Sequence, residues 1–198
     1  MSRLGVLAYY ARYILIMKLV AQPIQAMAQS GVFAWTEVHQ ESWACLKMLA
    51  CLGFETHLLD PTRPLYYTCD SSQISCAFTA YQISLEGEIL LIATDCRIFK
   101  LADRHNPAAM RELLALMFCL MSNEHEIRAH KSHILVLTDC ISLGMLLRMK
   151  DSSSKMLEIA LYVGSFSNLY IRYSVGSSLF LTDLLTRQWN KVQLAGDQ

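Results

Sequence analysis

Apolar residues recur at helical spacing through the first 53 positions, and the pattern then shifts to short β-prone runs. An amphipathic stretch from Leu4 to Val20 runs into Pro23, and a shorter one ends at Ser30-Gly31. Thr36 offers the short hydroxyl of an N-cap. Glu37 to Leu52 follows as a helix with Trp43, Leu46 and Ala50 at helical spacing, and Gly53 closes it. After the turn signals Asp60-Pro61 and Arg63-Pro64 come three strands, Leu65 to Cys69, Ile74 to Ile83 and Glu88 to Thr94. The last two are separated by Glu86-Gly87. Short strands joined by tight turns predict an antiparallel meander.

Asn106 as N-cap and Pro107 at the first helical position open a helix that reaches about Met121, with Leu113, Leu114, Met117 and Met121 in its apolar stripe. Ser132 to Thr138 is nearly all apolar, as a strand buried on both faces would be. Ile141 to Met149 and Ser154 to Ser165 read as helices, Leu169 to Tyr173 as a strand and Leu181 to Val192 as a final helix. From residue 65 the order is βββ-α-β-α(α)-β-α. It predicts an α/β fold: a mixed five-stranded sheet with helices on its faces, preceded by a small helical segment. The boundaries fall at residues 1–60 for the helical segment, 61–192 for the sheet domain and 193–198 for a tail.

Composition changes this picture little. With 198 residues, 54% of them apolar and 17% charged, the chain can bury a sizeable core. Seventeen basic and seventeen acidic residues give no net charge. Nucleic-acid binders usually carry an excess of Lys and Arg, but a protein that recruits metal ions can meet phosphates without one. The seven cysteines form no CxxC pair and read as buried thiols in a reducing, intracellular compartment rather than as a zinc site or disulfide framework. Arg3, Arg12 and Lys18 interrupt the N-terminal stretch, and its longest apolar run is far shorter than the ~20 residues that span a bilayer, so no membrane is expected.

The candidate chemistry lies in four acids. Asp70 closes the first strand, Glu112 lies inside the helix after the meander, Asp139 ends the fourth strand and Asp183 begins the last helix. Sites in open α/β sheets form beyond strand ends where neighbouring connections diverge. If the first and fourth strands are neighbours, Asp70 and Asp139 stand side by side there, and Glu112 and Asp183 lean in from helices. Clustered carboxylates repel one another unless cations intervene. Magnesium, a hard oxygen-seeking ion, suits such a site, and two ions about 3.5–4 Å apart can activate a water and stabilise the leaving oxygen of a phosphodiester. Individually, Asp139 and Asp183 also fit helix caps. His125 and His130 fall in a polar stretch, NEHEIRAHKSH, that reads as a solvated turn.

These residues resemble a known family. From about Leu4 to Trp189 the chain looks like the stretch joining the polymerase end to the RNase H domain in the pol polyprotein of gypsy-class LTR retrotransposons and retroviruses. LGVLAYYARYI at 4–14 is similar to its LGLxNYYRRFI, and FAWTEVHQESWACLK at 33–47 to its FxWTxxxQxAFxxLK. YYTCDSS at 66–72 resembles the strand with T-D-A-S, RELLAL at 111–116 the K-E-L-L-A helix, and LTDCISL at 137–143 the T-D-H-x-x-L strand end. YSVGSSLFLTDLLTR at 173–187 aligns without gaps on H-I-P-G-x-x-N-x-x-A-D-A-L-S-R. The resemblance implies an RNase H-like fold preceded by a thumb or connection segment, with catalytic and metal-binding roles on Asp70, Glu112, Asp139 and Asp183. It further implies two Mg²⁺ ions (with Mn²⁺ as substitute), an RNA–DNA hybrid whose RNA strand is hydrolysed, and the polymerase part of the same polyprotein as partner. The chain departs from the family pattern at Ser75 and Ala77, where the family has G-x-G, and at Met110, Tyr173 and Leu179, where it has Glu, His and Asn. The alternative function is a catalytically inert RNase H-like structural or interaction module left from a degraded retroelement.

Overall fold

The computed structural model describes residues 15–52, 57–140, 154–174, 179, 182, 183 and 186. The chain divides into two compact units, Met1–Thr56 with Lys191–Gln198, and His57–Asn190. The expected helix at 141–149, the first part (4–14) of the expected Leu4–Val20 helix, the Gly53 cap and most of 181–192 lie outside the described residues.

The described part of the first unit is a pair of helices, α1 (Leu15–Ser30) and α2 (Glu37–Leu52). Met17, Ala21 and Ile24 fall on one stripe of α1 and bury against Leu46 of α2, with Trp43 and Leu49 half-covered beside them. Pro23, expected to interrupt α1, lies inside it. A proline deprives the helix of one N–H, and the buried neighbours Ala21 and Ile24 hold the turn in place. Gly31, at φ +70°, supplies the left-handed residue that ends the helix. Thr36 precedes α2 as expected: its carbonyl accepts from the amides of His39 and Gln40. Its own amide donates to His39 Nδ1 at 3.0 Å, so a histidine takes the place that Glu or Gln has in a capping box.

The second unit is built on a five-stranded sheet in the order β3-β2-β1-β4-β5, with β1 (Leu65–Ser71), β2 (Ser75–Ile83), β3 (Ile89–Ile98), β4 (Ile134–Thr138) and β5 (Leu169–Tyr173). The meander β1-β2-β3 is antiparallel, while β4 lies parallel to both β1 and β5. The helices between β3 and β4 are α3 (Leu101–Arg104), α4 (Ala108–Ser122) and α5 (Glu124–Ala129), and α6 (Ser154–Gly164) precedes β5. The crossover brings β4 beside β1, so the connections diverge at the ends of these two strands.

Leu65, Tyr67 and Cys69 of β1, Cys76, Phe78 and Ala80 of β2, and Ile134 and Val136 of β4 meet Leu113, Leu116 and Leu120 of α4 in one core. Phe78 is fully buried, its ring 5.4 Å from Phe118 and 6.2 Å from Tyr67. Truncating Phe78 to alanine should cost about 3–5 kcal/mol of stability in a chemical denaturation series.

Several boundaries differ from the sequence reading. β3 continues to Ile98 because ladder pairing with β2 holds past Thr94, through Asp95 and Arg97. β4 alternates, with Ile134, Val136 and Thr138 buried and Leu135 and Leu137 only partly so. Helix α4 begins at Ala108: Pro107 has an extended ψ of 152° and its carbonyl accepts the first amides, leaving Asn106 outside the cap. The polar stretch after α4 contains α5, whose one inward face carries the fully buried Ile127. His130, expected in a solvated turn, is buried and donates from Nε2 to the Arg63 carbonyl at 2.8 Å. Of the cysteines, Cys69, Cys76 and Cys119 are buried, Cys96 and Cys140 are partly buried, and Cys45 is exposed. Burial pushes the Cys76 thiol up to about 12, and it raises the Cys119 thiol as well, so both behave as small hydrophobes.

Candidate metal centre

The divergence between β1 and β4 is where the acids collect. Asp70 pairs with Ala77 near the end of β1, one residue inside the strand, and is buried. Asp139 follows directly on β4 and is exposed. Glu112 is the fifth residue of α4, early in its second turn, and it reaches the end of β1 from the helical face. One carboxylate oxygen from each of Asp70, Glu112 and Asp139 lies within 4.8 Å of the others. Asp183 stands outside that group of three, on a helical turn with Thr182, and its charge acts on Asp70.

Hydroxyl groups hold the acids. Ser71 Oγ donates to Glu112 Oε1 at 2.6 Å. Thr186 Oγ1 donates to Asp70 Oδ2 at 2.7 Å and also lies 2.9 Å from the Asp183 carbonyl oxygen, so the last helical turn is fastened to β1. Thr182 bonds to both Thr68 and Thr79 on the same face of the sheet. Ser75 Oγ donates to the Thr186 carbonyl at 2.8 Å. The departure from glycine at this position therefore has a structural use, since the added hydroxyl anchors the backbone of the turn that carries Thr186. Leu179 is buried, as an apolar residue in place of asparagine would be.

Electrostatics mark the cluster as strained without a counter-charge. Burial pushes Glu112 up to about 8, the charges of Asp70 and Asp139 add to this, and the Ser71 hydrogen bond opposes it. Asp70 is raised chiefly by burial and further by Asp139 and Asp183, against the pull of the Thr186 hydroxyl. Glu112 Oε2 is buried and has no hydrogen-bond partner. An orphaned carboxylate oxygen costs free energy unless something else satisfies it. Octahedral coordination of Mg²⁺ at about 2.1 Å spaces ligand oxygens roughly 3.0–4.2 Å apart. Three oxygens within 4.8 Å of one another thus need only a small inward shift to share one ion. An all-oxygen donor set with one unsatisfied member fits a hard divalent cation.

Residues 60–166, more than half of the chain, match the family described as the RNase H-like domain found in reverse transcriptase. The chain belongs to that family. Among solved structures, a foamy viral protease-reverse transcriptase (dRH) in complex with double-stranded DNA is similar at 15% identity and a TM-score of 0.68, over 87% of this chain and 31% of that one. The foamy viral protease-reverse transcriptase in complex with an RNA/DNA hybrid is similar at 15% identity and a TM-score of 0.67, over 87% of this chain and 24% of that one. The chain therefore spans less than a third of these reverse transcriptases, and at this identity the likeness shows the fold: an RNase H-like mixed sheet with helices on its faces. No curated protein sequence matches.

Within this RNase H-like domain, Asp70, Glu112 and Asp139 come together, and Asp183 approaches through the Thr186 turn. Ser71 and Thr186 were not singled out in the sequence, and Ser75 stood out only as a departure from the family pattern. The spacing Asp183-x-x-Thr186 does put both residues on one side of a helix, which is the one local signal for any of them. Among the described residues no helix is long and apolar enough to cross a membrane.

Proposed function

We propose that this domain hydrolyses the RNA strand of RNA–DNA hybrids by a two-metal mechanism, as the RNase H part of a retroelement reverse transcriptase. The observation that carries this reading is the convergence of Asp70, Glu112 and Asp139 at the β1–β4 divergence, with a buried Glu112 oxygen left without a partner. Asp70, Glu112, Asp139 and Asp183 would hold Mg²⁺, or Mn²⁺ in its place. When bound, such ions activate a water and stabilise the leaving oxygen of a phosphodiester. The chain's own contribution is placement. The parallel strands β1 and β4 fix Asp70 and Asp139, α4 brings Glu112 from the side, and the Thr186 hydroxyl keeps Asp70 oriented.

The hybrid is proposed as substrate because a similar reverse transcriptase has been seen with an RNA/DNA hybrid. Residues 61–192 would form the nuclease domain and residues 1–60 the thumb or connection segment leading to the polymerase part of the same polyprotein. The buried, unbridged thiols suit a reducing, intracellular compartment.

The test is incubation of the full chain with a hybrid carrying labelled RNA, in Mg²⁺ or Mn²⁺. Shortened RNA with intact DNA is expected, and Asp139→Asn should reduce the rate at least about 1,000-fold, since a metal ion supplies several kcal/mol of charge stabilisation. Folded protein that leaves the RNA whole in both metals would sink the nuclease reading and leave an inert RNase H-like module.

A further inference from the structure

Ser71 sits beside Asp70 on β1, but successive strand residues point to opposite faces, so its side chain belongs to the face on which α4 packs. There it donates to Glu112 Oε1 at 2.6 Å, a short bond of the kind a hydroxyl makes to a carboxylate. The bond spans 41 residues and ties the end of β1 to the second turn of α4. It occupies one Glu112 oxygen and leaves the other, Oε2, buried and without a partner. A glutamate has three rotatable bonds. An exposed one would sample many rotamers, whereas this one is fixed at one oxygen by a strand residue next to another acid of the cluster.

We propose that Ser71 is a positioning residue for the cation site: its hydroxyl locks the Glu112 carboxylate so that Oε2 is held for a divalent ion. The inference rests on the metal-centre reading above and adds a residue to it that is not itself a ligand. Partners that orient metal ligands in this way typically change metal affinity 10–100-fold when removed.

The test is a Mn²⁺ titration of the full chain, followed by the loss of the free-ion electron paramagnetic resonance signal, for the wild type, Ser71→Ala, Ser71→Thr and Ser71→Val. Threonine and valine have nearly the same shape and both suit a strand, so this pair isolates the hydroxyl. Ser71→Ala and Ser71→Val should bind Mn²⁺ about 10-fold more weakly than the wild type, while Ser71→Thr should stay within about 3-fold of it. If Ser71→Val binds as tightly as Ser71→Thr, the hydroxyl serves only the fold and the proposal is overturned, although the metal centre stands. If the folded wild type takes up no Mn²⁺ saturably, the metal-centre reading itself fails and this proposal with it.

Discussion

Replacing Asp70 with asparagine should stabilise the ion-free protein and, in the same variant, abolish cation-dependent activity. Asp70 is buried and its carboxyl is held above the usual aspartate range by burial, with Asp139 and Asp183 adding repulsion. Asparagine removes the charge but keeps an oxygen that can accept from Thr186 Oγ1, now 2.7 Å from Oδ2. At pH 8 the unfolding free energy should rise, measured by urea denaturation in a chelator. On the proposed function, cleavage of a hybrid should meanwhile fall at least about 1,000-fold, since the variant lacks one of the proposed ligands. Opposite signs for stability and activity distinguish a charge cluster kept for its chemistry from a network kept for folding. A loss of stability in Asp70→Asn would place Asp70 in the second class.

The second large effect is a pH dependence whose sign depends on the cation. In the unfolded chain Glu112 titrates near its ordinary value of 4.5, and in the fold it is pushed up to about 8. The folded state therefore binds the Glu112 proton more tightly. The stability this supplies is complete below 4.5, declines as the pH rises from 4.5 toward 8 and is gone above 8. The raised Asp70 acts in the same direction. In a chelator the protein should melt at a lower temperature at about pH 8.5 than at about pH 5.5, with a free-energy difference of at most about 3 kcal/mol from Glu112 over that window. Saturating Mg²⁺ should reverse the slope, because the ion binds the ionised carboxylates and competes with their protons. Glu112→Gln should flatten the chelator curve. A melting temperature that rises between these two pH values in chelator, in the wild type, would show that Glu112 is not held protonated by its surroundings.

The fold was legible wherever apolar periodicity was strong. The alternation through Leu65, Tyr67 and Cys69 and the stripe Leu113, Leu114 and Met117 announce β1 and α4, and the single apolar strand from Ile134 to Thr138 is β4. Elements held by tertiary contacts were harder to read. Helix α5 has one buried apolar residue, Ile127, among polar ones, so no period stands out. The far half of β3 carries Asp95 and Arg97, and only its pairing with β2 makes it a strand. Pro23 is tolerated in α1 because the helix pair packs on both sides of it, which a proline rule applied to sequence does not weigh.

The site divides in the same way. Asp70, Glu112 and Asp139 could be placed in advance because strand ends and a helix of known order converge on one divergence point. Ser71 and Thr186 could not. Serine and threonine beside acids are common, and the bonds they make here cross 41 and 116 residues. Ser75 and Leu179 stood out as departures from the family pattern, but only the coordinates show that the Ser75 hydroxyl binds the Thr186 carbonyl and that Leu179 is buried.

The most direct test of the central claim is a crystal of the full chain grown with Mn²⁺ and measured for anomalous scattering. A peak is expected among Asp70, Glu112 and Asp139, roughly 2.2 Å from one oxygen of each, with Glu112 Oε2 among the ligands. A second peak on the Asp183 side would complete the two-ion site. No anomalous peak at the three carboxylates in saturating Mn²⁺ would contradict it.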